Sequence, residues 1–489
     1  RRAVYLMPPL NRRSFLAGAA MLASAPTMAS AQGAGDVDIV VIGAGAAGIA
    51  AARRVLAAKR SVVVIEASDR IGGRCVTDMR LFGAPVDLGA HWIHTPDINP
   101  LVKLAATTGL DVYPAPPGQK IRIGRRYARE SEAEDFLSVL VRANRAISDA
   151  ARGKTDMSCA QALPKDLGEW RSTVEFVLGP FSCGKDLSEV SAVDFSRSME
   201  RDKDAFCRQG FGTLLARLAD GLPIRLSTPV KRIETWQRGR VTVETARGTV
   251  VGRAAIVTAS TNIIAAEKIR FDPELPRRYV DAANRLRLGS YDHVILEMTG
   301  IPFGPQGDDL IYEKSDSART AAMLANVSGT QLCMVEVAGK FGRDLAGKGE
   351  QAMVEFALDW LGNLYGAEIR RSVRKVYATR WNDEPFVLGA FSAASPGGQS
   401  ARAALMEPIR DRIWFAGEAV HETLWGTVGG AWQSGERAAE AAMRKLGFIT
   451  TPREPVEARP SRTSPSRSQR ARSPDPQPRI PQIIKPERY

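Results

Sequence analysis

The chain has 489 residues, with 67 Lys and Arg against 54 Asp and Glu and a formal net charge of +13. At roughly 150 residues per domain this length predicts two or three folding units, and 44% hydrophobic residues exclude a disordered chain. The five cysteines, Cys75, Cys159, Cys183, Cys207 and Cys333, are odd in number and contain no C-x-x-C pair, which argues against a zinc cluster or a fully paired disulfide framework.

The excess charge lies mostly at the two ends. Residues 1–35 carry Arg1, Arg2, Arg12 and Arg13 and no acid, and residues 450–489 carry nine basic and four acidic residues, which leaves 54 basic and 50 acidic residues between them. A nucleic-acid binder needs its basic patch on the folded part, so no nucleic-acid partner is expected. The first segment reads Asn11-Arg12-Arg13-Ser14-Phe15-Leu16, then a short apolar run through Ala25, then Ala29-Ser30-Ala31. A basic start, a short apolar stretch and a small-residue cleavage site make an export signal over 1–31, and the Arg pair resembles the twin-arginine type. The expected partner is then the twin-arginine export machinery and the expected location periplasmic or secreted. A membrane anchor is the competing reading, but the run falls short of the roughly 20 residues a span needs, so no stable anchor is expected.

In chain order, Asp38–Ile42 reads as a buried strand, Gly43–Gly48 as a turn, Ile49–Ala58 as an Ala-rich helix and Ser61–Ile65 as a second strand. Phe136, Leu137, Leu140, Val141 and Ile147 have helical spacing. Val241–Val251 alternates like a hairpin with Arg247-Gly248 at its tip, and Ala255–Val257 reads as a further buried strand. Met353, Phe356, Trp360, Leu361 and Leu364 predict another helix. From 450 onward nine Pro and five Ser among Arg-rich repeats predict a disordered tail.

Gly43-Ala44-Gly45-Ala46-Ala47-Gly48 is G-x-G-x-x-G between a strand and a helix. The first Gly permits the tight turn, the second lets the backbone approach a pyrophosphate, and the third packs helix against strand. The helix N-terminus then points at the phosphates. Glu66 ends the second strand 18 residues past Gly48, where a carboxylate binds ribose hydroxyls and repels a 2′-phosphate.

The next run, Glu66-Ala67-Ser68-Asp69-Arg70-Ile71-Gly72-Gly73-Arg74, resembles the E-x-x-x-R-x-G-G-R run of the FAD-containing amine oxidases, and Asp87-Leu88-Gly89-Ala90 resembles the segment that follows it there. Phe415-Ala416-Gly417-Glu418-Ala419 and Gly429-Gly430-Ala431 through Ala439 look like the C-terminal flavin motif of the same family. The likeness covers about residues 36–449, with its strongest motifs at the two ends. It implies an α/β fold in which a Rossmann-type FAD-binding domain (36–110, 205–262 and 408–449) is interleaved with a mixed α+β substrate domain (111–204 and 263–407). It implies FAD contacts from Gly43, Gly45, Ala46, Ala47, Gly48, Glu66, Ala67, Arg70, Gly73, Arg74, Gly89, Ala90, His91, Trp92, Val230, Gly417, Glu418, Thr427 and Val428. No metal is expected. Ala390 stands where the covalently flavinylated members have a cysteine, so the FAD is expected to be noncovalent.

Within the family, Gly89-Ala90-His91-Trp92-Ile93-His94 most resembles the polyamine oxidases, in which a histidine of this run bonds the substrate amine. His94 is the candidate, with a structural histidine as the competing reading. Thr427 stands where monoamine oxidases place a cage tyrosine. Phe391 matches the other cage position, with Trp425 near it, and core packing is the alternative for that ring. His293, in Leu288-Gly289-Ser290-Tyr291-Asp292-His293, replaces the family's active-site lysine. The resemblance implies a flavin amine oxidase that takes a hydride equivalent from the carbon beside a neutral amine. Imine hydrolysis follows, and electrons pass to dioxygen or another acceptor. Two rivals remain: an amino acid oxidase or other flavin oxidoreductase on the same fold, and a flavin-binding protein without turnover, which the His293 substitution keeps open.

Overall fold

The computed structural model describes residues 36–198, 203–236 and 239–449. The export signal expected over 1–31 and the disordered tail expected over 450–489 lie outside the described residues.

The larger sheet has eight strands. Val37–Ile42 is parallel to Val62–Ile65 on one side and to Gly248–Val257 on the other. Ile39 to Ile42 are buried on both faces, which is why this strand is a continuous β-branched run rather than an alternating one. Ile224–Arg225 extends one edge, and Val241–Thr245, Val230–Glu234 and Arg270–Asp272 extend the other, while Ile413–Phe415 also pairs with Gly248–Val257. The hairpin forms as its alternation predicts, with Thr245 paired to Gly248, so its loop is Ala246-Arg247, one residue before the expected tip. The separate strand expected at Ala255–Val257 is the inner end of Gly248–Val257: its first half completes the hairpin and its second half runs parallel to the central strand.

One face of this sheet is covered by Ala46–Ala57 and Val428–Lys445. They approach closely because a Cβ at Gly435 would lie 2.0 Å from the Ala47 carbonyl oxygen. The sheet's core continues past residue 262, where the sequence placed the end of a nucleotide-domain segment. Phe271 and Tyr279 pack with Val243 and Phe415, and Leu405 joins the same core.

The second sheet has seven strands, in the order Val373–Ala378, Tyr291–Met298, Leu332–Ala338, Ala322–Ala325, Asp309–Glu313, Lys120–Ile123 and Arg126–Tyr127. Glu350–Tyr365 buries Met353, Phe356, Trp360, Leu361 and Leu364 in the core this sheet shares, the stripe its spacing predicts. Glu130–Ala150 buries Phe136, Leu140 and Ile147 in a helical cluster with Trp170 and Phe195, and leaves Leu137 and Val141 half-buried. A small sheet pairs Ile93–His94 and Val112–Pro114 with Asp204–Cys207, a strand 91 to 112 residues further along the chain. The fold is a two-domain α/β fold with mixed sheets. Among the described residues no helix is long and apolar enough to cross a membrane.

Candidate active site

A cavity of about 920 Å³ runs from the glycine turn to the second sheet. Its nucleotide half starts where Val37–Ile42 delivers Gly43, at φ +103°, into the turn. A Cβ at Gly48 would lie 1.9 Å from the Gly43 carbonyl oxygen, so this position closes the helix onto the turn and stays behind the cavity wall. At Gly45 a Cβ would meet nothing closer than 3.9 Å, and the atoms it meets belong to Gly72 and Gly73. Gly45 and Gly73 therefore leave a slot bounded by backbone. The Ala46–Ala57 helix carries no acid in its first turn, so its N-terminal dipole is open to an anion.

Glu66 stands at the cavity wall, where Oε2 accepts from Ala44 N at 2.6 Å and Oε1 from Ser68 N and Oγ at 2.9 and 2.8 Å. A carboxylate has about four acceptor sites, so three protein donors leave room for another. Ala67 and Val230 line the same stretch. Arg70 Nη1 donates to Gly73 O at 2.8 Å. Arg74 Nη1 bonds Ala390 O at 2.7 Å and Glu418 Oε1 at 2.8 Å, so its charge is balanced by Glu418. Glu418 is buried and also accepts from Ser392 N, Ser392 Oγ and Gly426 N at 3.1, 2.7 and 3.0 Å. Thr427 lines the cavity, but its hydroxyl is committed to the N-cap of Val428–Lys445: it accepts from Gly430 N at 2.9 Å and donates to Leu424 O at 2.7 Å. A second helix N-terminus without an acid in its first turn thus faces the cavity beside Gly417 and Val428.

In the other half, His94, His293, Phe391, Trp425, Gly89, Ala90, His91 and Trp92 all line the cavity. Phe391 lies 5.9 Å from Tyr291, Tyr291 lies 6.2 Å from Phe181, and Phe181 meets Tyr312 edge-on at 5.2 Å, which makes an aromatic wall. Trp425 is buried, with the Arg402 guanidinium 4.8 Å over its ring. His91 Nδ1 bonds Asp87 Oδ2 at 2.8 Å, and its ring stacks on Phe206. Burial is the largest influence on His91 and opposes its charge, yet the bond to Asp87 together with the charges of Asp87, Asp308 and Glu336 outweighs it and raises the pKa. His94 Nδ1 lies 2.6 Å from Asp204 Oδ1.

His293 is buried, and its Nε2–H donates to Gly89 O at 3.1 Å. Burial pushes its pKa down to about 4, with the Gly89 carbonyl countering and His91 adding, so the ring is neutral near pH 7. His293 thus offers no permanent cation of the kind a lysine would. Directly across the sheet stands Glu336, fully buried, bonded by Tyr291 Oη at 2.7 Å and 3.8 Å from His293 Nδ1. Burial pushes Glu336 up to about 7, against the Tyr291 bond and the nearby His91. A carboxyl raised in the folded state costs nothing while both states are protonated, and destabilises as pH climbs from the ordinary carboxylate range through about 7. Between about pH 5 and about pH 8 the wild type is therefore expected to lose about 2 kcal/mol more than Glu336→Gln. Urea unfolding of both proteins at the two pH values checks this.

A family model for flavin-containing amine oxidoreductases matches residues 46–443. The chain belongs to that family. It is 26% identical over 450 residues to polyamine oxidase 4 of Oryza sativa subsp. japonica, covering 85% of this chain and 90% of that protein. It is likewise 26% identical to lysine-specific histone demethylase 1B of Mus musculus, covering 82% of this chain and 52% of the longer relative. Among solved structures, cyclohexylamine oxidase from Brevibacterium oxydans shares the fold with a TM-score of 0.72 at 23% identity, covering 84% of this chain and 100% of that one. Putrescine oxidase bound to putrescine gives 0.70 at 20%, covering 83% and 98%.

This amine oxidase is an FAD-dependent oxidoreductase acting on CH–NH, and its residues fit the cofactor. Two helix N-termini and the Gly45–Gly73 slot would take the pyrophosphate, Glu66 the adenosine ribose, and the wall by Val230 the adenine. Of the residues assigned from sequence, all line this single cavity except Gly48, which packs behind it.

Several supporting groups escaped the sequence reading. Arg402 and Asp194 form a buried bidentate pair behind Glu418, and Arg402 Nη1 also reaches Ser392 Oγ at 3.2 Å. Phe181 is carried by a π-helical turn, Val177–Phe181, a rare geometry found often at functional sites. Asp204, Glu336 and Tyr312 arrive from strands far along the chain, and no local spacing announces them. Asp87 was legible as a carboxylate four residues before His91. Among the described residues no group of three or more His, Cys, Asp and Glu could hold a metal ion.

Proposed function

We propose that the protein oxidises aliphatic amines that arrive as cations, polyamine-like chains among them, using noncovalently held FAD, after twin-arginine export to the periplasm or beyond. The carrying observation is the charge of the amine half of the cavity. Asp97, Asp204 and Asp308 line it together with the aromatic wall, while the arginines lining the cavity, Arg70 and Arg74, both belong to the nucleotide half. Lys203, the cation at this end, is 3.2 Å from Asp97. An amino acid needs a cation for its carboxylate, typically a bidentate guanidinium, and would meet acids here instead. The relatives named for polyamine and putrescine oxidation favour the same class. Ala390 offers the flavin a methyl group and no nucleophile, which supports a noncovalent cofactor.

When bound, FAD would supply the acceptor for a hydride equivalent from the carbon beside the amine nitrogen and the route by which the electrons leave to dioxygen as peroxide. The protein's share is to attract the cation, orient its chain along Phe391, Tyr291 and Phe181, and exclude water while the C–H bond breaks. The imine left behind is hydrolysed by water. No carboxylate dyad is needed, because hydride transfer asks for no base at carbon.

Cadaverine and L-lysine differ by one carboxylate, so peroxide release from the two tests the reading. Cadaverine is expected to be preferred by about a hundredfold or more in kcat/KM, and a preference for L-lysine would overturn the amine assignment in favour of an amino acid oxidase.

A further inference from the structure

His421 lies outside the cavity wall, in the loop between the Glu418–Val420 turn and the Val428–Lys445 helix, and is partly buried. Its Nδ1 accepts from Thr423 N at 3.3 Å and from Leu424 N at 3.0 Å, and its Nε2 lies 3.0 Å from Gln433 Oε1 on that helix. Backbone N–H groups only donate, so Nδ1 holds a lone pair and the ring's proton sits on Nε2, donated to Gln433. Accepting from the residues two and three further on is the pattern of an Asx turn, with an imidazole nitrogen where Asn or Asp would place an oxygen.

The turn held in this way is part of the cavity wall. Trp425, Gly426 and Thr427 line the cavity directly after Leu424. Leu424 O accepts from Thr427 Oγ at 2.7 Å, Gly426 N donates to Glu418 Oε2 at 3.0 Å, and Thr427 Oγ caps the helix by accepting from Gly430 N at 2.9 Å. The packing leaves little slack: a Cβ at Gly430 would lie 2.1 Å from Leu424 O, and one at Gly426 would lie 3.1 Å from the Phe391 ring. Arg437, one helical turn beyond Gln433, donates to Val420 O, so the helix also grips the loop just before His421.

We infer that His421 is a positioning residue for the FAD site, a hydrogen-bond acceptor that sets the Thr423–Thr427 turn, and that acid releases this turn and weakens the hold on FAD. Protonation puts a hydrogen on Nδ1, facing the N–H groups of Thr423 and Leu424. Both bonds are then lost, and two amides beside the cavity wall need other partners. The charged groups around the ring are Glu422 in its own loop, Arg437 on the Val428–Lys445 helix and Arg402 on the Ala401–Met406 helix. Burial is the main cause that lowers the pKa of His421, with Arg437 and Arg402 adding and the Gln433 bond and Glu422 opposing. The held turn therefore binds a proton less readily than the released one. The hold is complete above about pH 6.5 and is lost as the pH falls below that value.

The test is the rate at which the holoenzyme releases FAD on dilution, read by flavin fluorescence at about pH 7.5 and about pH 5 in wild type, His421→Asn and His421→Ala. Asn keeps an acceptor in the turn that does not titrate over this range. The acceleration of release by acid is expected to be about tenfold larger in wild type than in His421→Asn. At the higher pH His421→Asn should hold FAD nearly as well as wild type, and His421→Ala should release it faster at both values. Acid sensitivity common to wild type and His421→Asn belongs to other groups, so the difference between them isolates this ring, even where His421→Ala fails to fold. Equal acceleration in wild type and His421→Asn, or His421→Asn releasing FAD as fast as His421→Ala at the higher pH, would overturn the inference. No substrate is present, so either result leaves the amine reading intact.

Discussion

Glu418→Ala is expected to purify without flavin. Its carboxylate is buried and receives four protein donors: Arg74 Nη1, Ser392 N, Ser392 Oγ and Gly426 N. Truncation leaves the backbone N–H groups of Ser392 and Gly426 without their acceptor and removes the counter-charge of Arg74, whose side chain is 25% exposed in the cavity wall, and each polar group left unmatched costs about 1–3 kcal/mol. The damage falls where cofactor binding is organised. Arg74 also holds the Ala390 carbonyl beside the cavity, and Gly426 leads into Thr427, the cap of the Val428–Lys445 helix. The ratio of visible to protein absorbance after purification reads the loss, and added FAD is expected to restore little of it. Glu418→Gln keeps the shape and part of the hydrogen bonding, so it should retain more flavin than the alanine variant. Stoichiometric flavin in Glu418→Ala would contradict this account of the site.

Asp194→Ala should be the most destabilising change in the substrate half. Arg402 and Asp194 are each 2% exposed at the side chain, joined by two bonds of 2.7 Å, and Asp194 also accepts from Ala394 N at 2.9 Å. The alanine leaves a buried guanidinium over the Trp425 ring with no counter-charge, at a cost of about 3–5 kcal/mol. Denaturant unfolding measures this directly. Because removing both charges is far less costly than removing one, Asp194→Leu/Arg402→Met is expected to recover most of the loss. A double variant as unstable as Asp194→Ala would show that the pair is held by its other hydrogen bonds rather than by mutual compensation.

The two halves of the cavity differ in how far the sequence exposes them. Gly43, Gly45, Gly48 and Glu66 sit within one strand, turn, helix and strand, so their spacing alone carries the geometry, and the Cβ clash at Gly48 is the one its motif position implies. The long helices were legible for the same reason: Phe356 and Trp360 fall on one stripe. His94 and Asp204 are 110 residues apart and meet only through the small sheet. His293 and Glu336 meet across a strand pair, and Arg402 reaches Asp194 from 208 residues away. Periodicity reports which face of an element is buried, but not which distant strand becomes its neighbour. Thr427 shows a subtler limit, since its position at the cavity followed from the motif while its hydroxyl is taken up by a helix cap that depends on Leu424 and Gly430.

The most direct test of the central claim is anaerobic addition of amines to the purified, flavin-loaded protein, followed by the flavin's visible absorbance. The expected result is bleaching by cadaverine or a polyamine, with colour and peroxide returning when air is admitted. A flavin that stays oxidised through excess putrescine, cadaverine, spermidine, spermine and benzylamine would contradict it.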